Sequence, residues 1–266
     1  MNRIDKTFKD LKQKKEKALV GFVTAGDPNI ADSLDLIIKM CKAGLDVLEL
    51  GVPFSDPTAD GPVIQRSSTR ALCNGVNLST VFEMTKSIRE KTSIPIILFS
   101  YYNPVHAYGA EEFYHKSIAA GADGILIVDL PPEESDELTS CWPLDDLALI
   151  RLLAPTTPLD RMTKISESAS GFLYLVSKTG VTGSDGLDTK EIGIKTKELR
   201  SVTGLPICVG FGVSTVEDVS TVASVADGVV IGSAFERIIE ENLDNPDLPV
   251  ILAKKTGEFK KATKIN

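Results

Sequence analysis

The sequence predicts an α/β fold, a (β/α)8 barrel with an additional N-terminal helix. Three observations lead there. Short apolar, β-rich runs recur eight times, and segments of helical period separate them. Several runs are apolar at nearly every position, the pattern of strands covered on both faces in a parallel sheet. The 266 residues suit one barrel domain spanning 1–266, with no Pro/Gly/Ser-rich linker or charge block to divide them. An open doubly wound sheet also alternates strands and helices, but eight is the barrel's number.

The elements follow in order. Ile4, Phe8 and Leu11 share one helical face among lysines, so an amphipathic helix comes first. Strands are expected at 18–24, 46–50, 95–100, 124–129, 147–152, 171–176, 206–210 and 228–231. Helical segments are expected at 30–42, 78–91, 111–120, 159–168, 191–202 and 216–225. Pro28-Asn29, Ser135 and Asp160 stand where helices start.

Composition excludes several classes. A net charge of −8 leaves neither a basic nucleic-acid footprint nor a polybasic membrane patch. No apolar run is long enough for a membrane span, and the charged first 17 residues lack the apolar core of a signal sequence. The expectation is therefore a cytoplasmic protein. Cys41, Cys73, Cys141 and Cys208 are widely spaced and form no C-x-x-C pair, so they read as reduced cysteines. His106 and His115 have no carboxylate at metal spacing and read as surface or loop residues, with no metal expected. Trp142 reads as a packing residue and Lys178 as a solvated lysine.

In a barrel of this kind the working residues sit where strands run into the following loops. Glu49 lies inside the second strand between two leucines. A buried carboxylate is costly, so it has either a catalytic purpose or a structural partner. Asp60 lies beyond it in a Pro/Gly-rich loop, where Asp before Gly is also a common turn former. Three later junctions, 177–184, 210–214 and 232–234, are rich in glycine. Glycine lets backbone N–H groups approach an anion, and a following helix N-terminus favours negative charge. These junctions are either phosphate cradles or three ordinary tight turns.

The string F-S-D-P-T-A-D-G-P-V-I-Q at 54–65 resembles the signature of the tryptophan synthase α subunit family. So do A-P-T-T-P at 154–158, Y-L-V-S-K-T-G-V-T-G at 174–183, G-F-G-V-S at 210–214 and I-G-S-A at 231–234. The likeness covers essentially the whole chain. It implies a TIM barrel with an extra N-terminal helix and retro-aldol cleavage of indole-3-glycerol phosphate to indole and glyceraldehyde 3-phosphate. It implies that Glu49 and Asp60 carry the chemistry and that Gly183, Gly212, Gly232 and Ser233 hold phosphate. It also implies that Phe22, Tyr174 and Phe211 line the indole pocket and that Thr182 helps position Asp60. The partner implied is a pyridoxal-phosphate β subunit in an αββα assembly, met by Asp56, Pro57, Tyr102 and Asn103. The reaction itself requires no cofactor in this chain. A stand-alone indole-producing lyase and a non-catalytic activator of a β subunit are the other readings, and the two intact carboxylates argue against the second. Where many relatives carry an arginine soon after G-V-T-G, this chain has S-D-G-L-D.

Overall fold

The computed structural model describes residues 2–140, 142, 146–177, 189–210 and 212–264. Eight parallel strands close into a barrel in sequence order: β1 (Ala18–Thr24), β2 (Val47–Gly51), β3 (Ile96–Ser100), β4 (Gly124–Ile127), β5 (Ala148–Leu153), β6 (Leu173–Val176), β7 (Ile207–Gly210) and β8 (Gly228–Ile231), with β8 pairing back onto β1. The open doubly wound alternative is thereby excluded. All eight strands fall on the expected runs, with ends shifted by a residue or two where the terminal residue belongs to the ladder or to the loop.

Helices surround the barrel. They are α1 (Arg3–Lys14), α2 (Ile30–Lys42), α3 (Pro62–Cys73), α4 (Leu78–Arg89), α5 (Tyr102–Tyr108), α6 (Ala110–Ala120), α7 (Asp136–Thr139), α8 (Leu159–Glu167), α9 (Thr189–Arg200), α10 (Val216–Ala223), α11 (Ser233–Glu240) and α12 (Leu248–Ala262). Local chemistry sets several starts. Asn29 caps α2 by accepting from the Asp32 N–H at 3.0 Å, and Asn77 caps α4. Thr215 and Asp218 form a reciprocal capping box on α10. Proline at the first position opens α3, immediately after Gly61.

Two layers of apolar side chains follow from the strand alternation. Leu48, Leu50, Ile96 and Leu98 point outward into the layer beneath the helices. Val47, Ile97, Phe99, Leu126, Ala148, Ile150, Tyr174, Cys208 and Val230 point into the barrel. Burial on both faces is why these runs show no alternation in sequence. The inner layer continues into α1, whose Ile4, Phe8 and Leu11 are buried with it. Phe8 lies 5.7 Å from the ring of Phe172, and Arg3 pairs with buried Asp123 at 2.9 Å. The first helix therefore plugs the N-terminal end of the barrel and leaves only the opposite end open.

Among the described residues, five helices lie outside the expected segments, and one of them, α7, follows Ser135, where a helix start is expected. α3 begins at Pro62, and the chain after β3 enters α5 at Tyr102. α11 and α12 follow the last strand. Trp142 is buried, stacked on Phe113 and Tyr114, and donates to the Ala110 carbonyl at 2.9 Å. His106 and His115 are exposed, on α5 and α6 rather than in loops. Cys41 is half-buried, Cys73 exposed and Cys208 buried, and Cys141 lies outside the described residues.

Candidate active site

The open end of the barrel holds a cavity of about 300 Å³. Its deepest polar group is Glu49. The inward face of β2 carries this side chain, 1% exposed, among the apolar residues of the inner layer. Its Oε1 has no hydrogen-bond partner among the described residues. Burial pushes its carboxyl up to about 8, so the group is largely protonated at neutral pH. A neutral acid aimed into a cavity, with a free oxygen, is available to a ligand. The structural alternative, a glutamate tied to a buried donor, has no support in this arrangement.

Asp60 stands in the loop above. Its backbone makes the turn anticipated for Asp before Gly: the Asp60 N–H donates to the Pro57 carbonyl at 3.1 Å, and Gln65 donates to the Asp60 carbonyl at 2.8 Å. Its side chain nevertheless lines the cavity. Burial pushes the carboxyl up to about 6, against a hydrogen bond from the Tyr101 hydroxyl that favours the anion. Tyr101 also accepts from the Ala59 N–H at 2.9 Å, and its ring lies 5.2 Å from Phe54. One tyrosine thus holds both the backbone and the carboxylate of this loop. Tyr101 has its own hydroxyl pushed upward by burial and by the Asp60 charge.

The walls are aromatic and aliphatic. Phe22 and Phe99 meet edge to face, 5.2 Å between centroids, and Ile64 and Tyr174 complete the apolar lining. Two glycines keep these rings in place. A Cβ on Gly51 would lie 2.5 Å from Phe22 Cζ, and one on Gly210 would lie 2.5 Å from the Tyr174 hydroxyl. Tyr174 is buried, and its hydroxyl is pushed well up by burial and then by the charge of Glu49.

Part of the cavity lining has the features an anion needs. Gly212 has φ +75°, and a Cβ there would meet nothing within 4 Å, so its backbone faces open space. Gly232 caps α11, and Ser233 is the first residue of that helix. N–H groups at a helix start, which have no partner within the helix, and a bare glycine backbone together suit a phosphate. Arg237 lines the same cavity.

Polar ties, some of them buried, hold the helices that flank this mouth. Arg70 of α3 grips Asp27 with two bonds of 2.7 and 2.8 Å and reaches Glu240 of α11 at 3.1 Å. Arg66 adds two bonds to Glu240 at 2.6 and 2.7 Å. Glu236 of α11 is fully buried and accepts from the Thr24 N–H at 2.6 Å. Its carboxyl is raised by burial and then by the neighbouring Asp27 charge. These contacts fix α3, which starts just after Asp60, relative to α11, which starts at Ser233.

Seven residues singled out from sequence therefore meet in one cavity: Phe22, Glu49, Asp60, Tyr174, Gly212, Gly232 and Ser233. Thr182, Gly183, Phe211 and Lys178 lie outside the described residues. Phe99, Ile64, Tyr101 and Arg237 were not anticipated as site residues. A signal for Tyr101 exists in the sequence, where Tyr101-Tyr102 follows the third strand directly. Asp56 and Asn103 are exposed, Pro57 and Tyr102 half-buried, and none of these four lines the cavity. Beside them lies a second, apolar hollow of about 400 Å³, bordered by Pro53, Phe54, Leu72, Leu78, Pro104 and Tyr108.

Comparison with known proteins agrees with the fold. The family model described as "Tryptophan synthase alpha chain" matches residues 8–264. A tryptophan synthase alpha chain of Desulfosudis oleivorans is 67% identical over 265 residues, covering 100% of both chains. The crystal structure of tryptophan synthase subunit alpha from Legionella pneumophila str. Paris has a TM-score of 0.90 at 39% identity, over 99% of this chain and 98% of that one. A solved chain from Aquifex aeolicus VF5 has a TM-score of 0.91 at 38% identity, over 100% of each.

Proposed function

The chain belongs to the tryptophan synthase alpha chain family, an enzyme subunit family, and from that premise we propose that it cleaves indole-3-glycerol phosphate to indole and glyceraldehyde 3-phosphate. One observation carries the reading most directly. Two carboxyl groups in different environments, Glu49 raised to about 8 and Asp60 to about 6, share an apolar cavity with an anion-binding side. Environments that separate two carboxyl groups in this way separate an acid from a base.

The chemistry then divides between them. Neutral Glu49 gives its proton to indole C3. The resulting cation spreads onto the ring nitrogen, where ionised Asp60 accepts the N–H hydrogen bond and stabilises the charge. The Glu49 carboxylate takes the proton of the neighbouring glycerol hydroxyl. The bond between C3 and the carbinol carbon breaks, its electron pair returns to the ring, and the carbinol becomes the aldehyde. One proton is donated and one recovered, so Glu49 ends as it began and the substrate's atoms are conserved in the two products. Phe22, Phe99 and Tyr174 pack the flat ring and exclude water. Gly212, Gly232 and Ser233 hold the phosphate, with Gly183 assigned to the same task, and supply binding energy remote from the reacting carbons. Phe211 is assigned to the indole wall and Thr182 to aligning Asp60.

The same reading includes a β subunit partner in an αββα assembly. The apolar hollow between the Phe54 loop and α5, next to Asp56, Pro57, Tyr102 and Asn103, supports a macromolecular contact there. No helix among the described residues is long and apolar enough to cross a membrane, and the place of action we propose is the cytoplasm. Indole release from indole-3-glycerol phosphate, measured with and without a cognate β subunit, tests the proposal. Absence of release in both conditions would overturn it.

A further inference from the structure

The anion-binding side of the cavity contains one feature that neutral donors do not explain. Among the described residues, Arg237 is the only cationic one lining a cavity that also exposes the carboxyl groups of Glu49 and Asp60. It lies four residues after Ser233 on α11, so the two occupy one face of the helix, about 6 Å apart along its axis. Helical side chains lean toward the N-terminus of their helix. An arginine at this position therefore leans toward the same helix start that Ser233 and Gly232 form.

The neighbours of Arg237 are committed elsewhere. Glu236 is buried against Thr24 and Asp27, and Glu240 is held by Arg66 and Arg70. Among the described residues, Arg237 itself enters no ion pair, and its side chain is exposed. The field around it is unfavourable to an anion. The protein carries a net charge of −8, and Asp60 lines the same cavity, so both repel a doubly charged phosphate ester. A local cation offsets that repulsion and raises the local concentration of an anionic ligand.

We propose that Arg237 is the charged arm of the phosphate site: its guanidinium pairs with the phosphate monoester that Gly212, Gly232 and Ser233 cradle and makes the cavity selective for phosphorylated substrate. This rests on the function proposed above, but its test can be separated from it. Arg237 touches neither the indole nor the breaking bond, so it acts on binding and not on the chemical step.

The test uses the full chain as wild type, Arg237→Gln and Arg237→Lys. Losing one charge-assisted contact to phosphate gives an expected weakening of about tenfold. Arg237→Gln should raise KM for indole-3-glycerol phosphate by that factor and leave kcat within about twofold of wild type. It should weaken glycerol 3-phosphate, a fragment bearing the phosphate alone, by the same factor in calorimetry and flatten the salt dependence of its binding. Indole, the phosphate-free fragment, should bind all three proteins equally, and Arg237→Lys should recover most of the loss. A wild-type KM and wild-type glycerol 3-phosphate affinity in Arg237→Gln would overturn the proposal. So would equal weakening of indole and glycerol 3-phosphate, the sign of a distorted pocket. If the wild type releases no indole, the assigned reaction fails, while the glycerol 3-phosphate titration still decides the role of Arg237.

Discussion

Phe22 and Glu49 are register partners on adjacent parallel strands, β1 and β2, and both side chains line the cavity. The ring therefore stands beside the carboxyl and forms part of the apolar surround that keeps it protonated. Phe22→Ala should admit water and lower the Glu49 pKa from about 8 toward the ordinary glutamate value of 4.5. The alkaline limb of kcat/KM, which reports the free enzyme's essential acid, should move to lower pH. An unchanged limb would mean that Phe22 plays no part in tuning Glu49.

The same burial makes Glu49 a stability term with a definite sign. Its folded pKa is raised, so the native state keeps a proton that the unfolded chain releases. That stabilisation is complete below about 4.5 and is lost as pH rises to about 8. Glu236, also raised by burial, contributes in the same direction. Glu49→Gln should make the fall in stability between pH 6 and 8 shallower, by at most about 1.4 kcal/mol per pH unit. Urea unfolding at several pH values measures it, and an unaltered slope would place Glu49 in a less buried setting.

Tyr101 works in the opposite direction on Asp60. Its hydroxyl favours the carboxylate, against the burial that raises the group to about 6. Removing the hydroxyl in Tyr101→Phe should raise the Asp60 pKa and shift the acid limb of kcat/KM to higher pH. It should also loosen the loop, since the Ala59 N–H loses its acceptor. A profile identical to wild type would separate Tyr101 from Asp60.

Gly212 and Ser233 test the phosphate cradle. Gly212→Asp places a carboxylate in the open space beside a backbone at φ +75°. Charge repulsion and the left-handed conformation both oppose it, and substrate binding should be nearly abolished. Ser233→Ala removes one hydrogen bond and leaves the helix start intact, so KM should rise by only about tenfold or less. Equal affinity of the wild type for phosphorylated and dephosphorylated substrate would remove phosphate from the account.

Much of this was legible in the sequence. β1 and β8 match their expected limits because their apolar runs end sharply at polar or glycine residues. Glu49 stood out because a carboxylate between leucines needs either a purpose or a partner, and only the structure, which leaves its Oε1 without a partner among the described residues, separates the two. The α3 helix did not stand out, because its buried face is Ser67, Ser68 and Ala71, which makes no apolar stripe. Phe99 was hidden for a related reason. In a strand apolar on both faces, the pattern cannot say which residues point inward, and only the register with β2 and β4 settles it. Arg237 was invisible because its value lies in being one turn beyond Ser233 on a helix not anticipated there.

In the proposed reaction Glu49 moves the proton, and one measurement addresses this directly: indole release from indole-3-glycerol phosphate by wild type and Glu49→Gln, each with and without a cognate β subunit. Glutamine keeps the shape and removes the proton, so the variant should fold and bind substrate while its rate falls by about 10²–10⁴-fold in both conditions. A Glu49→Gln chain that releases indole at close to the wild-type rate would contradict the assignment of the chemistry to this residue.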